Sequence, residues 1–335
     1  MNRPSTLAIL FDHHRWAMEQ VCNAAEPLKD ALLDRPVEMG LGSLRKTIQH
    51  LAQAEKAWME RIAAPSPAPI QFAEVPKAPG ELLKVLEALH AERNGWLAKQ
   101  CDESLQTQHA YLNTRGEQFS DRLCDILLHV YNHGVHHRAQ IVNMLRHCGV
   151  QPLKIDYIFY RIPRNHEPPH ERSRDLIADY SACGDWAMAR LFKAIEPLDD
   201  AALDRAFEMG LGSLRRTMIH IADAEFWWWE NWRGSPPDAF PTLQEGQTRA
   251  DIRRRFEQLS RQRNDLLAGL SDRDLERKVT ARAAPGREFT FTLGDSMLQL
   301  GCHGTLHRAQ MLNMLRRIGA ATPGLDLVLR TRPGA

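Results

Sequence analysis

The sequence predicts an all-α protein built from two tandem four-helix bundles, residues 1–165 and 171–335, each with a small hairpin or irregular insertion before its last helix. Three observations predict it. The chain aligns with itself from end to end at an offset of 170 positions. Apolar residues recur at helical spacing in corresponding stretches of both halves. Each half has the length of a domain, which suits two copies of one fold better than a solenoid.

The elements follow in order. A first helix spans about Ser5 to Ala25 and ends before Glu26-Pro27, which recurs as Glu196-Pro197. Next comes Glu38-Met39-Gly40-Leu41-Gly42-Ser43-Leu44-Arg45, repeated without change as Glu208 to Arg215. Ser43 is a good N-cap for a second helix reaching Ala63. Pro65-Ser66-Pro67-Ala68-Pro69 then forces a loop. A third helix starts at Pro79, with an apolar stripe through Leu82, Leu86 and Leu89. The helical signal weakens between Thr107 and Ser120, and the matching span of the second copy reads as a hairpin turning at Pro285-Gly286. The fourth helix runs from about Asp121 to Cys148, and in the second copy from Asp295 to Ile318, stopping at Gly149 and Gly319. The join between copies falls at about Pro163 to Ser173, where Pro168-Pro169 interrupts the pattern.

Composition narrows the function. With 43 basic and 42 acidic residues the formal net charge is +1, so no global field points to nucleic acid or a membrane surface. Arg253-Arg254-Arg255 reads as a solvated helix face. No apolar run is long enough to span a membrane, and Met1 to Arg15 lacks the pattern of a signal peptide. The six cysteines form no CxxC and no regular framework, which suits a reducing compartment and a cytoplasmic location.

The fourth helix carries Asn132-His133-Gly134-Val135-His136-His137-Arg138-Ala139-Gln140, and its counterpart is Cys302-His303-Gly304-Thr305-Leu306-His307-Arg308-Ala309-Gln310. Residues four apart share a helix face, so His133 with His137 and His303 with His307 aim two imidazoles at one spot. The repeat selects a third: His50 on the second helix recurs as His220, whereas His129 and His136 become Gln299 and Leu306. His129 and His136 are therefore expected at the rim of the bundle. Two triads result, His50/His133/His137 and His220/His303/His307. Three imidazoles without a shared carboxylate or thiolate leave a coordination position open, the pattern of a catalytic rather than a structural site. Zn, Ni and Fe(II) all suit such ligands.

Other recurring residues are candidates for supporting roles. Glu55 and Arg138, like Glu225 and Arg308, could pair across the second and fourth helices. Gln140 and Gln310 could hydrogen-bond a ligand histidine. Trp58, Trp227 and Trp228 lie near the expected pocket, and Trp227 stands where the first copy has Ala57, so the second site is expected to be narrower. Cys302 is turned about 100° from His303 around the helix and reads as packing.

These residues resemble the DinB family of metal-binding four-helix bundles. The resemblance rests on a histidine in the context Thr47-Ile48-Gln49-His50-Leu51-Ala52-Gln53-Ala54-Glu55, followed on the last helix by Asn-His-x-x-His-His-Arg-x-Gln. It covers essentially the whole chain, once per copy, and the segments at Asp156 and Asp326 look like the family's tail. It departs at Ala139 and Ala309, where the family often has glycine, and at Cys302 and Leu306. The resemblance implies a divalent metal on each triad. It implies a small-molecule substrate and an internal pseudo-dimer that could assemble further. The activities it suggests are a thiol-dependent S-transferase or isomerase, with a low-molecular-weight thiol such as glutathione, or a hydrolase. A catalytic base is not identifiable. Two other readings stay open: a non-catalytic metal or small-molecule binding protein of a stress response, and a non-haem iron redox enzyme.

Overall fold

A computed structural model of the chain describes residues 3–64, 66–67, 69, 72–164 and 171–332. It is mostly helical, as expected, and divides into two units. One joins Asn2–Ile155 to Asp326–Ala335, and the other is Asp156–Leu325.

In the first unit, α1 (Arg3–Ala25) buries Leu7, Leu10, Phe11, Met18 and Val21 along one stripe. A short helix α2 (Asp30–Leu33) follows, and α3 (Leu44–Ala63) starts at Ser43, whose hydroxyl accepts from the Lys46 amide. α4 (Pro79–Leu97) begins on its proline, and α5 (Asp102–Leu105) is a single turn. Strands β1 (Gln108–Leu112) and β2 (Gln118–Arg122) pair antiparallel, and α6 (Leu123–His147) follows directly. The four long helices close a ring, with α1 against α4 and α6, and α3 against the same two. This is a bundle core of the expected kind.

In the second unit, α7 (Tyr157–Arg161) runs into a 3-10 turn at Ile162–Arg164. Then come α8 (Arg174–Ile195), α9 (Asp200–Asp204), α10 (Leu214–Trp232) and α11 (Arg249–Ala268). A 3-10 turn at Arg273–Glu276, the hairpin of β3 (Lys278–Ala284) and β4 (Arg287–Thr292), and α12 (Leu293–Arg317) complete it. Here α12 packs on α8 and α10, and α11 on α8 and α10.

Sequence and structure differ in local detail. The weak stretch from Thr107 to Ser120 holds a hairpin like its counterpart, because Tyr111 and Phe119 face each other across the strands. The short helices α2, α5 and α9 escape a periodicity argument because four or five residues span little more than one turn. Of the loop at Pro65 to Pro69, Pro65 and Ala68 lie outside the described residues, and so does Pro168-Pro169 at the join.

The segments after each last helix pack as the unit boundaries indicate. Tyr157 donates to Asp295 (2.6 Å) and the Ile158 amide to Gln299 (2.7 Å), which fixes α7 against α12. At the other end a 3-10 turn at Leu327–Leu329 packs against α6, and Arg332 reaches Asp121 at 2.6 Å. No helix among the described residues is long and apolar enough to cross a membrane.

Candidate metal centres

α3 carries His50 in mid-helix, and α6 carries His133 and His137 one turn apart. Packing of the two helices brings the three together. His50 Nε2 and His133 Nε2 lie 3.2 Å apart, and the His137 ring centroid is 4.8 Å from that of His50 and 4.4 Å from that of His133. In the second unit His220 Nε2 and His303 Nε2 are 3.0 Å apart, and the His307 centroid lies 4.7 and 4.4 Å from those of His220 and His303. In each triad one ring nitrogen from every histidine lies within 4.8 Å of the others, a spacing that could hold a metal ion.

Burial favours the neutral form of His50, His133, His137, His220 and His307, which leaves their lone pairs available. It pushes His137 down to about 3, helped by repulsion from His136 and His50, and His220 down to about 4. His133 and His307 fall well below the usual histidine range, first through burial and then through the neighbouring rings. His50 is lowered by burial against the pull of Asp326.

Gln140 and Gln310 lie where they can orient a ring. Nδ1 of His137 donates to Gln140 Oε1 at 2.8 Å, and Nδ1 of His307 to Gln310 Oε1 at 2.8 Å. That bond puts the proton on Nδ1 and turns the Nε2 lone pair toward the triad. The other end of Gln140 donates to His136 at 3.1 Å. The repeated glycine motif before α3 and α10 serves the same geometry. Gly40 and Gly210 have positive φ (+54° and +53°), and a Cβ at Gly210 would sit 2.5 Å from Gln310 Oε1. Only glycine lets that loop lie against the glutamine. Asp156 adds a contact the sequence did not single out, its carboxylate accepting from His303 Nδ1 at 3.3 Å.

The expected pairing of Glu55 with Arg138 is indirect. Arg138 donates to His14 Nδ1, and His14 Nε2 lies 2.5 Å from Glu55. The ion pair to Glu55 comes from Arg93 on α4, at 2.5 Å. Burial pushes His14 down to about 4, so it is a neutral link with its proton facing Glu55. In the second unit the residue matching His14 is Gly184, and Glu225 pairs with Arg263, which also holds Asp185 at 2.6 Å. Arg308 there donates to Thr305 at 2.8 Å. Arg93 and Arg263 recur at the repeat offset, so the alignment that found the histidines could have found them. His14 has no such signal.

His129 is not at the rim. It is 4% exposed, stacked edge-on to Trp58 at 5.3 Å, because the hairpin folds over that face of α6. His136, whose ring meets that of His137 at 5.1 Å, is half-buried. Cys302 is buried and packs by Tyr180. The arginine run behaves as a solvated face for Arg253 and Arg254, while Arg255 reaches Asp223 at 2.6 Å.

A cleft of about 640 Å³ opens beside the first triad, lined by His50 and His133 and by Ala57, Trp58, Arg61 and Tyr111. In the second unit Trp227 takes the place of Ala57. Its ring packs on Trp228 (4.7 Å) and Phe240 (5.6 Å), its Nε1 donates to the Arg282 carbonyl, and Trp228 meets Phe291 at 6.2 Å.

Comparison with known proteins adds to this geometry. The family model described as "DinB family" matches residues 1–170 and again residues 180–333. "Protein DinB" of Bacillus subtilis (strain 168) is 24% identical over 156 residues, covering 45% of this chain and 91% of that protein. No solved structure matches the chain.

Proposed function

The chain belongs to the DinB family, and from that premise we propose that each histidine triad holds a divalent metal ion and that the protein is a metal-dependent enzyme acting on a small molecule. The carrying observation is the convergence, in both units, of three imidazole nitrogens within 4.8 Å, with one imidazole in each held by a glutamine oxygen at 2.8 Å. His50, His133 and His137 would hold one ion, and His220, His303 and His307 the other. A zinc, nickel or ferrous ion so held, with a position left open, supplies Lewis-acid activation of a carbonyl or of a thiol or water.

The protein's own groups do the rest. Gln140 and Gln310 fix the tautomer of one ligand in each set, and Asp156 does so for His303. Trp58, His129 and Tyr111 wall the first site and limit water. The reaction class we favour is transfer to or from a low-molecular-weight thiol such as glutathione, with hydrolysis as the variant in which water replaces the thiol. A cytoplasmic location, in keeping with the cysteine pattern, belongs to the same reading.

Metal analysis of protein purified without a histidine tag tests it, followed by turnover of an electrophile in the presence of glutathione. Bound zinc or nickel with turnover supports the enzyme. Bound metal without turnover leaves a binding module, and iron with oxygen consumption would move the reading to redox chemistry.

Two results are expected besides. Gln140→Ala weakens metal binding in the first unit about 10–100-fold, as loss of a partner to a ligating histidine generally does; competition with a chromogenic chelator reads it. Trp227→Ala raises the affinity of the second site for a small ligand analogue, and titration showing unchanged affinity there would mean that the tryptophan does not narrow it.

A further inference from the structure

The cleft beside the first triad has a chemical polarity that its counterpart lacks. Its centre is apolar and aromatic, with Trp58, Tyr111 and Phe119 on the walls. Phe72, 49% exposed, and Leu329, 36% exposed, add apolar surface to its lining. One end is the histidine triad. The other holds Arg61, in the last turn of α3.

Arg61 is half-buried and, among the described residues, has no carboxylate partner. One Nη donates to the Leu112 carbonyl, and the guanidinium stacks on Trp58 with its carbon 4.4 Å from the ring centroid. Its Nε is buried and finds no acceptor. Arg61 nevertheless lines the cleft, and a guanidinium without a carboxylate of its own is the group best matched to a carboxylate ligand there. Burial pulls Arg61 down to about 10, so it stays charged near neutrality. Of the other cations lining the cleft, Arg332 is already bound to Asp121 at 2.6 Å and Arg115 is exposed in the hairpin turn.

Glu117 and Asp326 line the cleft together with Arg61, Arg115 and Arg332, so an anionic ligand finds its counter-charge at the arginines. His50 and Arg61 are eleven residues apart on α3, close to three full turns, so they share a face. Their separation along the helix axis is about 16 Å, shortened by the reach of both side chains. A ligand filling the cleft therefore has an anionic head, an apolar body and a far end at the triad.

In the second unit Asn231 replaces Arg61, and its amide donates to the Trp227 carbonyl at 2.6 Å. Trp227 stands in place of Ala57, and Tyr111 is matched by Ala281.

We propose that the first unit's cleft is a binding site for small carboxylates with an aromatic or bulky apolar body, held at the carboxylate by Arg61, and that the second unit does not share this specificity. That the far end of the ligand is where reaction occurs rests on the metal-site reading; the carboxylate preference does not.

Phenylalkanoates of increasing chain length, and their primary amides, are the probes, titrated calorimetrically into the full-length protein as purified. At least one carboxylate is expected to bind about tenfold or more tighter than its amide, the usual worth of a charge-assisted hydrogen bond. Arg61→Met abolishes that discrimination at an unchanged melting temperature and metal content, and Arg61→Lys keeps part of it. Amides binding as well as acids, or no carboxylate binding in the millimolar range, overturns the proposal, as does a discrimination that survives in Arg61→Met. If Arg61→Met does not fold, the acid–amide comparison on the unmodified protein and on Arg61→Lys still decides. A protein that binds no metal yet prefers the acids would sink only the metal reading, and one that binds metal without the preference would sink only this one.

Discussion

His133→Ala is expected to remove the metal ion from the first unit while leaving that of the second in place, and His303→Ala to do the reverse. The expectation follows from the ligand count. An apparent binding free energy of about 10–16 kcal/mol for a four-ligand zinc site assigns roughly 3 kcal/mol to each ligand, or about a hundredfold in affinity. Dialysis against a metal buffer near the affinity of the intact site then strips the variant and spares the other unit. His136→Ala, which removes a ring outside the triad, retains the full complement on the same measurement. Equal metal content in His133→Ala and the unmodified protein would mean that the three nitrogens do not act as one donor set.

Glu55→Gln is expected to destabilise the protein at pH 7 far more than Glu225→Gln, although both carboxylates are almost fully buried at corresponding positions. Burial alone would push Glu55 up, but His14 and Arg93 outweigh it and bring it down to about 2. Neutralising it leaves the Arg93 guanidinium buried without a counter-charge, a change that typically costs about 3–5 kcal/mol. Around Glu225 the balance reverses. Burial, with Asp185 adding to it against the pull of Arg263, pushes that carboxyl up to about 7. It is already about half protonated at neutrality, so an amide replaces it at little cost.

The pH dependences have opposite signs. Glu55, with a folded value below the ordinary 4.5, contributes stability that is present above pH 4.5 and lost as pH falls toward 2. Glu225, with a folded value above 4.5, holds a proton the unfolded chain has released, so its contribution is full below pH 4.5 and declines as pH rises to about 7. Thermal melts of both variants from pH 3 to pH 8 (~0.5-unit steps) read the contrast. Equal losses at pH 7 would show that the two networks are electrostatically alike.

Much of this protein was legible before any coordinate. Ser43 before an apolar run, Pro79 at a first helical position and Gly149 after a last one mark helix ends through interactions within one turn. The four-residue spacing of His133 and His137 makes them neighbours on any helix. The internal repeat then picked His50 over the other histidines, because two copies of one site constrain each other. His129 went wrong for a definite reason: its burial comes from Trp58 and the hairpin, and nothing on its own helix announces them.

What the sequence alone determined, then, is local or periodic: the helices, the two copies, the triads and the glutamines one turn from their last histidines. Backbone hydrogen bonds and side-chain spacing along a helix depend only on near neighbours, so the linear chain carries them. The tertiary structure decided the rest: that Arg93 and not Arg138 is the ion-pair partner of Glu55, that Asp156 meets His303, that His129 is buried against Trp58, and that Arg61 meets no carboxylate among the described residues. Each of these is a contest among residues far apart in the chain for one buried charge or one volume. Desolvation and packing settle such contests, and both exist only once the helices have met.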